Sequence, residues 1–333
     1  MTRAIVATHR IFPETVQLLQ KAGRVHMPAD ERFAGADLAD ALASARAAMI
    51  FMPDRVDAEF LAAAPELSIV AAALKGYDNI DVEACTARRV WVSIVPDLLT
   101  APTAELAIGL LIGLARHLRE ADRHVRSGNF SGWTPRFYGL SIEYSTIGLV
   151  GMGAIGCAVA RRLRGFDCRI IACDERPGGC PVDGIAWRPL EALLAEADIV
   201  VLCLPLHAST IHLLNADRLA LMKPHALLVN PARGSLVDEA AVAAALLDSR
   251  LGGYAADAFE LEDLSRSDRP RAVPPALLAH PNTLFGAHIG SATVTARKAI
   301  EARAARNILD ALAGRTPRDA VNEVGGEPCR APV

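Results

Sequence analysis

Short apolar runs alternate along the chain with stretches of helical period. In the first hundred residues the apolar runs cover 4–8, 47–52, 68–74 and 90–95, rich in β-branched or small side chains. Helical spacing occupies 13–22, 36–45, 57–64 and 81–88 between and after them. A βαβα succession predicts parallel strands covered by helices. Pro96 interrupts the pattern, and Thr100-Ala101-Pro102-Thr103 then opens a long amphipathic helix reaching about Arg126. Proline near its start and Glu105 in its first turn are ordinary helix-opening signals. A polar, aromatic loop over 127–139 follows. The rhythm then restarts, with strands predicted at 146–150, 168–173, 199–204, 226–230, 252–259 and 283–287. Six such runs with intervening helices predict a second, larger doubly wound sheet. A last helix covers about 292–313, and the Pro- and Gly-rich tail beyond it is expected to fray.

Composition narrows the class. A length of 333 residues suggests two domains, and 52% apolar against 22% charged residues leaves ample material for their cores. Lys plus Arg number 35 and Asp plus Glu 38, a formal charge of −3. That balance excludes a strongly basic nucleic-acid binder and offers no polybasic attraction to a membrane. The longest nearly apolar run, 106–115, is too short to cross a bilayer. Met1-Thr2-Arg3 leads straight into a strand-like run with no signal-peptide core, so a cytoplasmic protein is expected. The seven cysteines form no Cys-x-x-Cys pair and lack metal-ligand spacing; reduced thiols and no metal centre are expected.

The first candidate chemistry lies after the strand at 146–150. Gly151-Met152-Gly153-Ala154-Ile155-Gly156 follows it directly and runs into a helix. A lone Gly-x-Gly-x-x-Gly is weak, and an ordinary glycine turn is its bland account. Here strand, helix and a following acid are all in place. Gly151 permits the tight turn, Gly153 lets backbone approach a pyrophosphate, and Gly156 allows close helix–strand packing. The helix N-terminus would then hold phosphates. Asp174, at the end of the next strand, would bind a ribose and repel a 2′-phosphate, which predicts NAD rather than NADP. Glu175 strengthens that repulsion and Arg176 opposes it.

Arg233, Glu262 and His288 each follow an apolar strand of the second sheet. Ligands of open parallel sheets bind outside the carboxyl ends of the strands, so the three share the rim of the glycine loop. The imidazole of His288 titrates near neutrality and suits proton transfer. Glu262 would bind its other ring nitrogen and fix the tautomer. Arg233 offers a charged fork to an anion, and Asp257 sits where it would contact a nicotinamide carboxamide. Taken singly, each has a bland account: a structural histidine, an Arg233 paired with Asp238, a solvated Glu262 in a charged loop. Their joint placement favours chemistry.

With these motifs in view, Gly151–Gly156 with Asp174, 230–234 followed by Val237-Asp238-Glu239, 257–262, and His288-Ile289-Gly290 resemble the D-isomer-specific 2-hydroxyacid dehydrogenases over nearly the whole chain. The resemblance implies a Rossmann-type NAD domain over 100–289. It also implies a smaller flavodoxin-like α/β substrate domain from 1–99 and 290–333, and usually a homodimer. It casts Arg233, Glu262 and His288 as substrate anchor, support and base. A narrower similarity, carried by 51–57, 74–79, 95–100 and Gly132-Trp133 with Phe137-Tyr138-Gly139, is to the phosphonate dehydrogenase branch, which oxidises phosphite to phosphate with NAD. That likeness implies Lys75 on the phosphite, with Met52, Gly76, Arg297 and Ser291 around it. It also implies Lys75, Thr103, Cys203, Leu204, Pro205, Pro231, Ala232, Arg233, Asp257, His288 and Ser291 along the cofactor, beside Gly151, Gly153, Ala154, Ile155, Gly156 and Asp174. Ordinary members usually carry small residues at the Lys75 position, and a second cation beside Arg233 suits a more highly charged anion. Two departures stand out. Gly286-Ala287 replaces a usual Thr-Pro before the histidine, which predicts a looser hold on the base, and Leu264 replaces a usual Trp near Glu262. The alternatives are oxidation of a D-2-hydroxy acid such as lactate or glycerate, and a non-catalytic NAD-sensing protein.

Overall fold

The computed structural model describes residues 3–33 and 37–324, and the chain divides into two compact units, Met1–Leu99 with Thr293–Val333, and Thr100–Ala292. The first unit runs β1 (Ala4–Ala7), α1 (Pro13–Leu19), β2 (Arg24–His26), α2 (Asp37–Leu42), β3 (Ala45–Ile50), α3 (Ala58–Ala63), β4 (Ile69–Ala72), α4 (Val82–Ala87) and β5 (Trp91–Ser93). Its five strands are all parallel, in the order β2-β1-β3-β4-β5, which reverses between β1 and β3. Strands β1 and β4 are buried throughout, as a parallel sheet covered on both faces requires. Asp57 and Asp81 accept the first free amides of α3 and α4, which fixes where those short helices start.

The second unit begins with α5 (Thr100–Ala115) and α6 (Leu118–Arg126), then β6 (Thr146–Val150), α7 (Ala154–Leu163), β7 (Arg169–Cys173), β8 (Ala186–Trp187), α8 (Leu190–Glu196) and β9 (Ile199–Leu202). It continues with α9 (Ala216–Leu219), β10 (Leu227–Asn230), α10 (Glu239–Leu247), β11 (Gly253–Ala256), α11 (Pro275–Ala279) and β12 (Thr283–Phe285). The seven parallel strands stand in the order β12-β11-β10-β9-β6-β7-β8. The order reverses between β6 and β9, the switch point of a Rossmann-type sheet, and the glycine loop leaves β6 there. One face packs Leu111, Leu149, Val159 and Ile199; the other packs Leu193, Val200, Leu228 and Tyr254. Finally α12 (Val294–Leu312) returns to the first unit, where Ile300 and Ile308 bury against Ile5, Met49 and Ile69. Each such fully buried side chain stabilises its unit by about 1.5–3 kcal/mol. The chain is thus an α/β protein of two parallel sheets, as the alternating pattern predicts.

Three local expectations change. The strand expected at 47–52 runs Ala45–Ile50, because the Phe51 amide turns away to donate to Asp54 Oδ2 at 2.7 Å. The helix expected to reach Arg126 in one piece breaks at His117, whose φ is +52°. There the Ala115 carbonyl accepts the Leu140 amide at 2.9 Å instead of continuing the helical ladder. The segment after α12 does not fray over its described length: Val321 N–H donates to the Val92 carbonyl, and Asn322 Oδ1 accepts the Val92 amide at 2.8 Å. Residues 325–333 of the tail, like Ala36 of the second expected helix, lie outside the described residues. The edge strands β2 and β8, three and two residues long, carry too little pattern to be read from sequence.

Candidate active site

The glycine loop is fitted to a close-packed turn. Gly151 has φ +92°, and a Cβ there would stand 2.8 Å from the Cys203 carbonyl carbon and from Leu204. Cys203 and Leu204, at the end of β9, therefore lie directly against the loop, and Pro205 follows them. A Cβ on Gly156 would meet the Gly151 carbonyl at 2.1 Å, so α7 could not approach β6 with any larger residue. Gly153, by contrast, has nothing within 4 Å of its Cβ position, and its helix carries no side-chain cap. The leading amides of α7, those of Ala154 and Ile155 among them, thus border open space at a positive helix end. Asp174, at the end of β7, accepts the Met152 amide at 2.6 Å and the Arg176 amide at 2.8 Å. Its carboxylate is tied to the loop, with lone pairs left for a ribose. These features fit a dinucleotide.

The catalytic candidates gather at the neighbouring strand ends of the same unit. His288 Nδ1 stands 2.6 Å from Glu262 Oε2. Glu262 ends a short 3₁₀ turn, Glu260–Glu262, and its other oxygen accepts the Phe259 amide at 2.8 Å. Burial pushes the Glu262 carboxyl up, but the His288 hydrogen bond and charge, the Phe259 amide and the Arg233 guanidinium together hold it below its usual value. Arg233 follows β10 and donates to the Ala232 carbonyl. The turn that carries it, through Pro231 and Ala232, is stapled by the fully buried Asn230, which accepts the Ala232 amide and donates to the Arg233 carbonyl. A Cβ on Gly234 would collide with the Phe259 backbone at 1.8 Å, so the Arg233 turn and the Glu262 turn are in contact.

His288 itself has φ +55°, a backbone conformation that costs a non-glycine residue about 1 kcal/mol or more. Asp257 holds it there. The Asp257 carbonyl accepts the His288 amide at 2.7 Å, and its carboxylate accepts the amides of Ile289 at 2.9 Å and Gly290 at 2.8 Å. Burial raises the Asp257 carboxyl above its usual value against these bonds. Thr103, in the first turn of α5, packs against Gly290, and Ser291 follows, half-buried. Gly286 packs directly against this clamp. A Cβ on Gly286 would stand 2.1 Å from Asp257 Oδ1, so the missing side chain is what lets Asp257 close on the histidine loop.

The remaining candidates lie in the first unit. Met52 and Lys75-Gly76 leave the carboxyl ends of the adjacent strands β3 and β4. Burial lowers the Lys75 ammonium from its usual value, opposed by the charge of Asp97. Arg297, on α12, donates to the Ala73 carbonyl at 3.2 Å, with its guanidinium 5.5 Å from the Phe51 ring centre. Asn79 donates to the carbonyl of Asp54 at 2.6 Å, tying the loop after β4 to the one after β3.

Residues 108–290 match the D-isomer specific 2-hydroxyacid dehydrogenase family through its NAD binding domain. The chain belongs to that family. A glyoxylate reductase of Thermococcus onnurineus is 38% identical over 330 residues, covering 97% of this chain and 96% of that protein. Among solved structures, a protein from Thermus thermophilus has TM-score 0.88 and 35% identity over 96% of this chain and all of its own. An NADPH-dependent glyoxylate/hydroxypyruvate reductase of Sinorhizobium meliloti, solved with NADP and malonate, has TM-score 0.83 and 30% identity over both full chains. The chain is an oxidoreductase of this family and its second unit is the NAD-binding domain. No helix among the described residues is long and apolar enough to cross a membrane.

Sequence reasoning missed Asn230 as the staple of the Arg233 turn and missed the support behind Glu262. Glu239 is fully buried, and Glu260 is paired with His212 and approached by Arg266. A polar residue's burial leaves no periodic mark, although its place inside an apolar run is a signal in the case of Asn230.

Proposed function

We propose that the protein is an NAD-dependent D-2-hydroxyacid dehydrogenase of the glyoxylate reductase type, interconverting a small 2-oxo acid and its D-2-hydroxy acid. The observation that carries this reading is the Glu262–His288 pair at 2.6 Å, on the same carboxyl-end rim of the sheet as the dinucleotide loop. The bound nicotinamide supplies the hydride donor or acceptor. His288 gives its Nε2 proton to the carbonyl oxygen during reduction and takes it back during oxidation. Glu262 fixes the Nδ1–H tautomer and stabilises the imidazolium. Arg233 binds the carboxylate and favours negative charge on the reacting oxygen. Relatives called glyoxylate reductases, 38% identical over nearly their whole length, support the choice of substrate class.

Lys75 favours a second reading, oxidation of phosphite to phosphate with NAD. A partly buried ammonium is costly to keep unless it meets an anion. Phosphite carries more charge than a monocarboxylate and would gain more from the Lys75 ammonium. His288 would then deprotonate the water that attacks phosphorus. The family position of the chain also suggests a homodimer. In support, α6 buries none of its residues, and Trp133 and Tyr144 are 82% and 85% exposed. The deciding experiment is initial rates with purified protein: NADH oxidation with glyoxylate and hydroxypyruvate, and NAD reduction with D-glycerate, D-lactate and phosphite. Turnover of the organic acids alone establishes the first reading, turnover of phosphite alone the second, and turnover of neither removes both. Light scattering reads the oligomer.

A further inference from the structure

Behind the Glu262–His288 pair lies a second carboxyl group. Glu239, the first residue of α10, is fully buried, and its Oε1 accepts the backbone amide of Glu260 at 3.0 Å. Glu260 opens the same 3₁₀ turn that Glu262 closes. The turn is gripped from two other sides. Gly234 allows the Arg233 turn to touch Phe259, and the Glu260 carboxylate is paired with His212 and reached by Arg266 at 3.4 Å. Removing the Glu239 acceptor would leave a buried amide unpaired at the base of this turn, at a site where small displacements act directly on the 2.6 Å contact to His288.

We propose that Glu239 is a positioning residue for the acid–base pair, holding the Glu260–Glu262 turn so that Glu262 meets His288 Nδ1. The proposal deepens the dehydrogenase reading above and rests on it for its functional meaning. The charged and titratable groups around Glu239 are Glu260 and Glu262 on the turn and Tyr254 on β11, with His212 and Arg266 beyond Glu260 and with His288 and Arg233 beyond Glu262. Burial, with the neighbouring Glu260 and Glu262 charges, pushes the Glu239 carboxyl up to about 7, against the Glu260 amide, which favours ionisation.

The test compares Glu239→Gln, which keeps a carbonyl acceptor, with Glu239→Met, which fills nearly the same space without one. The readout is the downfield proton NMR signal of His288 Nδ1–H in the NAD-loaded protein, assigned by its loss in His288→Asn. It needs no substrate, so it decides the proposal even if glyoxylate is not turned over. Glu239→Gln is expected to keep the signal, and Glu239→Met to shift it upfield or broaden it away, with kcat for the 2-oxo acid reduced about tenfold and KM within about twofold. A wild-type signal in folded Glu239→Met overturns the proposal. If Glu239→Met does not fold, Glu239→Ala, which also lacks the acceptor, takes its place, and a wild-type signal in it overturns the proposal.

Discussion

Asp257 and His288 are joined through the backbone, since the Asp257 carbonyl accepts the His288 amide at 2.7 Å while its carboxylate collects the next two amides. The sequence suggested a contact with the nicotinamide carboxamide; the structure adds that this carboxylate holds the base in a left-handed conformation. Asp257→Ala should therefore lower kcat by about ten- to a hundredfold, part of the roughly 10²–10⁴-fold that an acid–base group contributes. NAD affinity, measured by fluorescence titration, should fall much less. Equal losses in both would show that Asp257 serves the cofactor rather than the histidine loop.

Gly286 follows from the same clamp. Its Cβ position lies 2.1 Å from Asp257 Oδ1, so Gly286→Ala must displace the carboxylate or the loop. Overpacking of this kind costs about 1–3 kcal/mol, read as a lower Tm. The loss of kcat should match the direction seen in Asp257→Ala. Gly153→Ala is the control within the cofactor loop, since open space surrounds its Cβ position, and it should weaken NAD binding with little change in Tm.

We propose that cofactor choice rests on Asp174, whose carboxylate is fixed by the Met152 and Arg176 amides. Asp174→Ser removes the charge that repels a 2′-phosphate and leaves Arg176 to attract it. The ratio of kcat/KM for NADH over NADPH should fall by about tenfold or more, near 1.4 kcal/mol. A wild-type preference for NADPH would contradict the assignment of Asp174 as the discriminating residue.

Much of this was legible from residues alone because the signals are local. The strand-like runs at 146–150 and 199–204, the glycine spacing and the acid after β7 each depend on neighbours in sequence. The Glu262–His288 pairing followed from the rule that strand ends share a rim, although 26 positions separate the two. What escaped depends on through-space packing. The break at His117 follows from Leu140 taking the Ala115 carbonyl, and the tightness of Gly286 from a carboxylate 29 positions earlier in the chain. Nothing in a linear pattern marks the buried side of Glu239 either, because alanines and a valine surround it in α10.

The buried Glu239 has a consequence for stability. Its carboxyl titrates at about 7 in the folded protein against 4.5 when unperturbed, so the folded state binds more protons than the unfolded state between those values. Stability contributed by this group is full below pH 4.5 and is lost as the pH rises through about 7. At roughly 1.4 kcal/mol per pH unit over the 2.5 units between 4.5 and about 7, the loss is at most about 3–4 kcal/mol. Glu239→Gln should remove this slope, so urea unfolding at pH 5 and pH 8 should differ less in the variant than in the wild type. The same slope in both would place the titration elsewhere.

Lys75 separates the two substrate readings. Burial draws its ammonium down from the usual lysine value, and the Asp97 charge only partly restores it. A cation held so can contribute most to an anion with charge to spare. Phosphite near neutrality carries close to two negative charges and gains more from an ammonium than a monocarboxylate such as glyoxylate does. If phosphite is a substrate, Lys75→Ala should lower its kcat/KM by about a hundredfold or more, as loss of a charge-assisted contact implies. Glyoxylate reduction by the same variant should fall less than about fivefold, because Arg233 and His288 still act on it. Lys75→Arg keeps the charge but replaces a compact ammonium with a planar fork, so it should restore phosphite turnover only in part. Losing glyoxylate reduction to the same extent would make Lys75 a general anion anchor and leave phosphite without a residue of its own.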